Sequence, residues 1–187
     1  MTALEILSLL AILTVAIGWY LSYTAARLDR LHTRVEGTFA ALDAQLIRRA
    51  EAVLELANTA TLDPAASLFL AGAASDCLDQ SVGSLEDALH AQGQREIVES
   101  ELTEAMRLVL TEDTLGDVEA DTGVGADCLV RLDAAHRRVQ LARRFHNDAV
   151  TDVVRIRRKP LVQGFRLAGH ADLPRTVDLD DDLVVLS

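Results

Sequence analysis

The chain has 187 residues, half of them apolar and only 4% aromatic, with three prolines, ten glycines and a formal net charge of −11. That length allows one domain with a real core, the Ala- and Leu-rich composition favours helices over strands, and the acidic balance excludes a general nucleic-acid binder, which needs a basic surface. The two cysteines, Cys77 and Cys128, lack C-x-x-C spacing; they exclude a disulfide framework and read as buried, reduced thiols of a cytoplasmic domain.

The first element is the run from Ile6 to Ala26, which holds no charged residue. At about 1.5 Å of rise per residue it reaches roughly 30 Å, the thickness of a bilayer's hydrocarbon core, and so predicts a transmembrane helix. Trp19, Tyr20 and Tyr23 gather at its end like an interfacial aromatic belt, and Arg27, Arg30 and Arg34 follow. Basic flanks stay inside, so residues 1–5 are expected outside and everything after the span in the cytoplasm of a single-pass protein. A cleaved signal peptide would have a basic leader and a shorter apolar core, so the anchor is the preferred reading.

Beyond Leu28 the apolar positions Leu31, Val35, Phe39, Leu42, Leu46, Val53 and Leu56 recur three or four apart, continuing the span as one amphipathic helix to near Leu62. Asp63 and Pro64 then supply an N-cap and a first-turn proline. The second helix carries the stripe Leu68, Gly72, Ser75, Leu78, Val82, Leu85 and Leu89, and Gly93 is expected to break it. A third helix runs from about Gln94 to Leu110 with Ile97, Leu102, Ala105, Leu108 and Val109 on its apolar face. Residues 111–127 are acidic and hold Gly116, Gly123 and Gly125, which predicts a loop. A fourth helix buries Leu129, Leu132, Val139, Ala142, Phe145, Ala149, Val153 and Ile156 and ends at Pro160. Residues 161–187 read as an irregular acidic tail. The expected fold is all-α: a single N-terminal transmembrane helix over 6–26 continuing into an antiparallel four-helix bundle over 27–160.

Charge is segregated along the chain. Residues 76–127 carry a net −12 and residues 128–166 a net +7. Two uses of the basic segment stay open: pairing with the acidic helices in the same fold, or facing anionic lipid. With four helices alternating in direction, the fourth returns to the bilayer. Arg155, Arg157, Arg158 and Lys159 would then join Arg27, Arg30 and Arg34 as candidate contacts for lipid headgroups.

Catalytic patterns are scarce. The chain has no H-E-x-x-H, no G-x-S-x-G and no phosphate loop, and Gly123-Val124-Gly125 follows no strand, so it reads as a flexible connector. The pairs Asp87 with His90 and Asp133 with His136 have the i, i+3 spacing of carboxylate-histidine metal motifs. They lack the glutamates such sites use, and surface polar pairs are the preferred reading. His146, between Phe145 and Asn147, reads as a satisfied core histidine. No cofactor is expected.

Three segments resemble the LemA family. Leu46 to Leu56 includes its paired arginines as Arg48 and Arg49. Glu101 to Arg107 matches its Glu-Leu-Ser/Thr-x-Ala segment, and Ala142-Arg143-Arg144-Phe145-His146-Asn147-Asp148-Ala149-Val150 is similar to its Ala-Arg-x-x-Tyr-Asn-x-Ala-Val signature. The resemblance spans about residues 36–180, with His146 where the family has Tyr and with Val153 and Val154 in place of a second Tyr-Asn. It implies a membrane anchor followed by an antiparallel helical bundle, and it carries over no catalytic residues. The expected function is therefore that of a non-catalytic interaction or scaffold module at the cytoplasmic membrane face. Its partners would be the lipid bilayer and either another protein or a second copy. The alternatives are a metal-dependent enzyme with a site in the bundle and a signalling relay acting through the long first helix.

Overall fold

The structure is a computed structural model that describes residues 3–80, 85–120, 123–165 and 173–183, without the side chains of 85–92 and 161. It is all-α. Among the described residues there are six helices and no strand: α1 Ala3–Ala57, α2 Pro64–Asp79, α3 Leu85–Val109, α4 Glu112–Ala120, α5 Val124–Arg157 and α6 Pro160–Gly164.

Helix α1 is unbroken from the apolar run into the packed part of the protein. Its polar residues in that run turn their hydroxyls back onto the helix: Thr14 donates to the Leu10 carbonyl and Thr24 to that of Tyr20, both at 2.8 Å. An 18-residue stretch of α1 is apolar enough to cross a membrane, with a mean hydropathy of 2.0, and none of that stretch is buried by the rest of the chain.

Past Thr24 the expected stripe is the buried one. Leu28 packs with Ile156, Val35 with Ala149, Val150 and Val153, and Leu42 and Leu46 with Val139. These pairs run in opposite directions along the two chains, so α1 and α5 form an antiparallel stem. The α2–α3 hairpin joins only further out, where Ala50, Val53 and Leu56 of α1 meet Leu70, Ala74, Cys77, Leu102, Met106 and Leu132. Each fully buried Leu or Val there contributes about 1.5–3 kcal/mol. The molecule is thus a two-helix stem carrying a wider head.

Several sequence expectations are corrected. Helix α2 stops at Asp79, and α3 runs straight through Gly93, because one interior glycine costs only about 1 kcal/mol in a helix whose packing supplies more. The buried face of α2 is Leu70, Ala74 and Cys77, whereas Leu68, Gly72 and Ser75 are exposed. An Ala-rich helix with apolar residues all round gives periodicity little to choose between. Val82 and the side chains of Leu85 and Leu89 lie outside the described residues. In α3, Leu102 and Ala105 are buried as expected, but Ile97 and Leu108 are exposed, and Val98 and Met106 complete the face.

Residues 111–127 are largely helical. The Thr111 hydroxyl accepts from the Thr114 amide at 3.3 Å, Glu112 and Asp113 occupy the first turn of α4 where carboxylates are favoured, and Val118 is buried. In α5, Phe145 is 53% exposed and its neighbour His146 takes the inward position. With Leu141, Gly37 and Ala41, Phe145 lines an open groove of about 350 Å³ along the stem. The supposed flexible connector is also tightly packed: Gly123 is the N-cap of α5, and a Cβ on Gly125 would lie 2.7 Å from Thr61 Cγ2 and 3.1 Å from Val118 Cγ1.

That close approach generates a contrast between two glycines. Gly125→Ala is expected to destabilise the protein by about 1–3 kcal/mol, since a short β-branched side chain cannot swing aside. Gly116→Ala, in α4 with nothing within 4 Å of its new Cβ, is expected to stabilise it by about 0.5–1 kcal/mol. Chemical denaturation of the two variants beside the unsubstituted protein measures both.

Candidate functional site

Three clusters of polar side chains stand out, and Thr103 links the first two. The innermost is centred on Arg49. Its position in α1 falls within the apolar stripe, between Leu46 and Val53, so its guanidinium is carried into the core and is 0% exposed. Glu99 of α3, equally buried, meets it at 2.7 Å, and the same arginine donates to the Glu99 carbonyl at 3.1 Å and to Thr103 Oγ1 at 3.2 Å. The second Glu99 oxygen takes Arg95 Nε at 2.9 Å. Arg95 in turn reaches Asp43 at 3.2 Å and the Gln80 carbonyl at the end of α2 at 2.6 Å. Two cations face two carboxylates, so the node is neutral in sum, as burial requires. Cys77 lies against it, with Sγ 3.5 Å from the Val98 carbonyl. Burial, with the Glu99 charge second, pushes its thiol up to about 12, which makes it a packing residue and not a nucleophile.

The second cluster is the groove between α3 and α5, occupied by residues 173–183. Their extended backbone buries alternate side chains, Val177, Leu179, Asp181 and Leu183, and exposes those between. Of the expected irregular acidic tail over 161–187, residues 161–164 are instead helical as part of α6, while 173–183 have no regular secondary structure but lie in a groove that their period-two alternation of apolar and acidic residues matches. Asn147 donates to the Val177 carbonyl at 3.0 Å and accepts its amide at 2.9 Å. Arg143 forks onto the Asp181 carboxylate at 2.8 and 2.7 Å, while Gln140 and His136 Nε2 donate to the Asp181 carbonyl at 2.7 and 3.1 Å. From the α3 side, Glu96 and Ser100 accept the amides of Asp178 and Asp180 at 3.0 Å each, and Thr103 donates to the Asp180 carbonyl at 2.7 Å. Arg107 binds both Asp180 and the Asp182 carbonyl. Thr103 joins this groove to the Arg49 node.

The third cluster is the basic end of α5. Ile156 and Val162 pack on Leu28, so Arg155, Arg157, Arg158 and Lys159 come beside the first turns of α1 after the apolar run, near Arg27, Arg30 and Arg34. Asp152 lies 3.7 Å from Arg34 and 3.6 Å from Arg155. Helix α3 is tied to α1 at Asp43, through Arg95, and at Arg49, through Glu99, about 15 residues or roughly 20 Å further along α1. Of the basic segment, Arg131 pairs with Glu55 of α1 and Arg143 with Asp181 of the C-terminal segment.

The two histidines of α5 are buried. His146 has its Nδ1 3.3 Å from Thr38 Oγ1 and stacks edge-on to Phe39, in keeping with a satisfied core histidine. His136, one half of the Asp133 pair, serves the Asp181 carbonyl, and Asp133 binds Arg137 at 2.9 Å. The side chains of Asp87 and His90 lie outside the description. Among the described residues no three His, Cys, Asp or Glu side chains converge as metal ligands. Arg49, Glu99 and the groove were missed by sequence reasoning, although charges set inside an apolar stripe and alternation at 177–183 were both there to be seen.

No family model, no curated protein and no solved structure matches this chain.

Two expectations follow. Arg49→Met, which leaves Glu99 buried with one cation fewer, is expected to cost about 3–5 kcal/mol, and Arg49→Met with Glu99→Leu less than either single change added together; thermal melts of the three variants form the cycle. Burial pulls the His136 and His146 imidazoles below their usual 6.5, in His136 helped by the Arg49 charge. The unfolded chain therefore takes up protons first, so their contribution is complete above about pH 6.5 and is lost as pH falls below it. The melting temperature should drop from pH 7 to pH 5, and less steeply in the variant with both histidines changed to Gln.

Proposed function

We propose that the chain is a membrane-anchored, non-catalytic interaction module whose head stands in the cytoplasm, with the seven basic residues of the stem base facing anionic lipid. The observation that carries this reading is the meeting of Arg155 to Lys159 with the start of the stem, one turn beyond an uncovered apolar helix that ends in Trp19, Tyr20 and Tyr23. Cations placed there lie at headgroup depth if the apolar run spans the bilayer, and each adds about 1 kcal/mol of attraction near an anionic surface. Helix α6 supports the same reading. Val162 packs on Leu28 at that level, and Phe165 just after α6 is 55% exposed, an aromatic ring suited to the interface. The resemblance to the LemA family is in accord with an anchor followed by helices, and membership of that family is part of the proposal.

The test is vesicle binding by a fragment that begins at Arg27 and so lacks the apolar run. Cosedimentation with vesicles rich in anionic lipid is expected, weakening as salt rises. A variant with Arg155, Arg157, Arg158 and Lys159 changed to Gln should lose that binding while its melting temperature moves little. A fragment that ignores strongly anionic vesicles at low salt would overturn the lipid-facing reading.

A further inference from the structure

Residues 173–183 are held in the way that a bound peptide is held. Helix side chains reach its main chain at Val177, Asp178, Asp180 and Asp181, and no ladder of secondary structure is shared with it. Specificity comes from elsewhere: Val177 and Leu179 enter an apolar patch with Leu42, Leu46 and Val139, and Arg143 grips the Asp181 carboxylate with two parallel bonds. Charge is matched at two points as well, Arg107 with Asp180 and Arg143 with Asp181, while Glu96 takes the Asp178 amide. The helices have other reasons to stay in place. Helix α5 is packed along α1, and α3 is tied to α1 through Arg49 and Glu99 and to α2 through Arg95 and Cys77. The hydroxyl, amide and guanidinium groups of the groove wall are ones that water serves equally when the segment leaves.

We propose that the groove between α3 and α5 is a recognition site for extended peptides in which apolar and acidic residues alternate, and that the chain's own 173–183 segment is its resident and replaceable occupant. The proposal does not depend on the membrane reading. When the segment is lifted, the groove is open to the same pattern offered in trans.

The experiment uses the full chain in detergent micelles, with Val177→Ser and Asp181→Asn weakening the resident segment while leaving the groove intact. The probe is a fluorescent peptide of residues 173–183 with the native sequence. Saturable uptake is expected at one peptide per chain, about tenfold or more tighter than by the unsubstituted protein. Adding Arg143→Gln should weaken that uptake about tenfold or more, because the forked charge-assisted pair is lost. Three results would overturn the proposal: no uptake by a double variant that keeps its helix content and melting; equal uptake of a peptide with the residues scrambled; or loss of cooperative melting in the double variant, which would make the segment part of the core.

Discussion

A guanidinium with no access to water must be neutralised where it lies, and most of the head is arranged around that requirement at Arg49. Its partner Glu99 has to come from another helix, at a set height and on a set face, so the pair determines how α3 sits against α1. Arg95 lies one helical turn before Glu99 and reaches both Asp43 and the Gln80 carbonyl that caps α2, which closes the hairpin. Replacing such a pair by apolar side chains of similar volume is often neutral in stability, so its value here is orientation more than energy. The apolar contacts around Leu56, Leu70 and Met106 supply the burial.

The C-terminal segment completes the head by a different logic. A helix there would place every third or fourth residue inward; an extended strand places every second one. The order Val177, Leu179, Asp181, Leu183 satisfies the second pattern, and the groove between α3 and α5 has apolar surface and basic side chains in the matching sequence. The segregation of charge along the chain is resolved by this packing. Part of the basic surplus of α5 is met by the acidic end of the chain, and the acidic surplus of α3 is turned partly inward, at Glu99, and partly toward the segment's amides, at Glu96.

Stem and head differ in how they are built. The stem is a pair of helices buried on one face each, with Leu141 and Phe145 left half exposed beside it, while the head encloses residues such as Leu56 and Leu132 completely. A two-helix stem buries less apolar surface per residue, and local opening is expected to begin there unless a surface covers it. Its base is also where the cations collect. The region that most needs a covering surface is therefore the one nearest to a bilayer if α1 is anchored in one.

The sequence by itself determined the helical class, the apolar run, the amphipathic face of α1, the start of α2 at its proline, the end of α5 just before Pro160, and the burial of both cysteines and His146. Each rests on local chemistry: composition, period, capping residues or a charge-free length. What only the tertiary structure decided is which face of an ambiguous helix turns inward and which charge is carried into the core. Leu68 and Leu70 are equally apolar, and only packing into the core of the head selects Leu70. Phe145 is more apolar than His146, yet the packing of α5 on α1 places the histidine inward, where Thr38 and Phe39 meet it. Gly125 reads as a flexible connector until Thr61 and Val118 are seen on either side of it. Arg49 and residues 173–183 show the same limit from the other direction, because a buried ion pair and a filled groove exist only between segments 30 or more positions apart in the chain, and no local period records a partner at that distance.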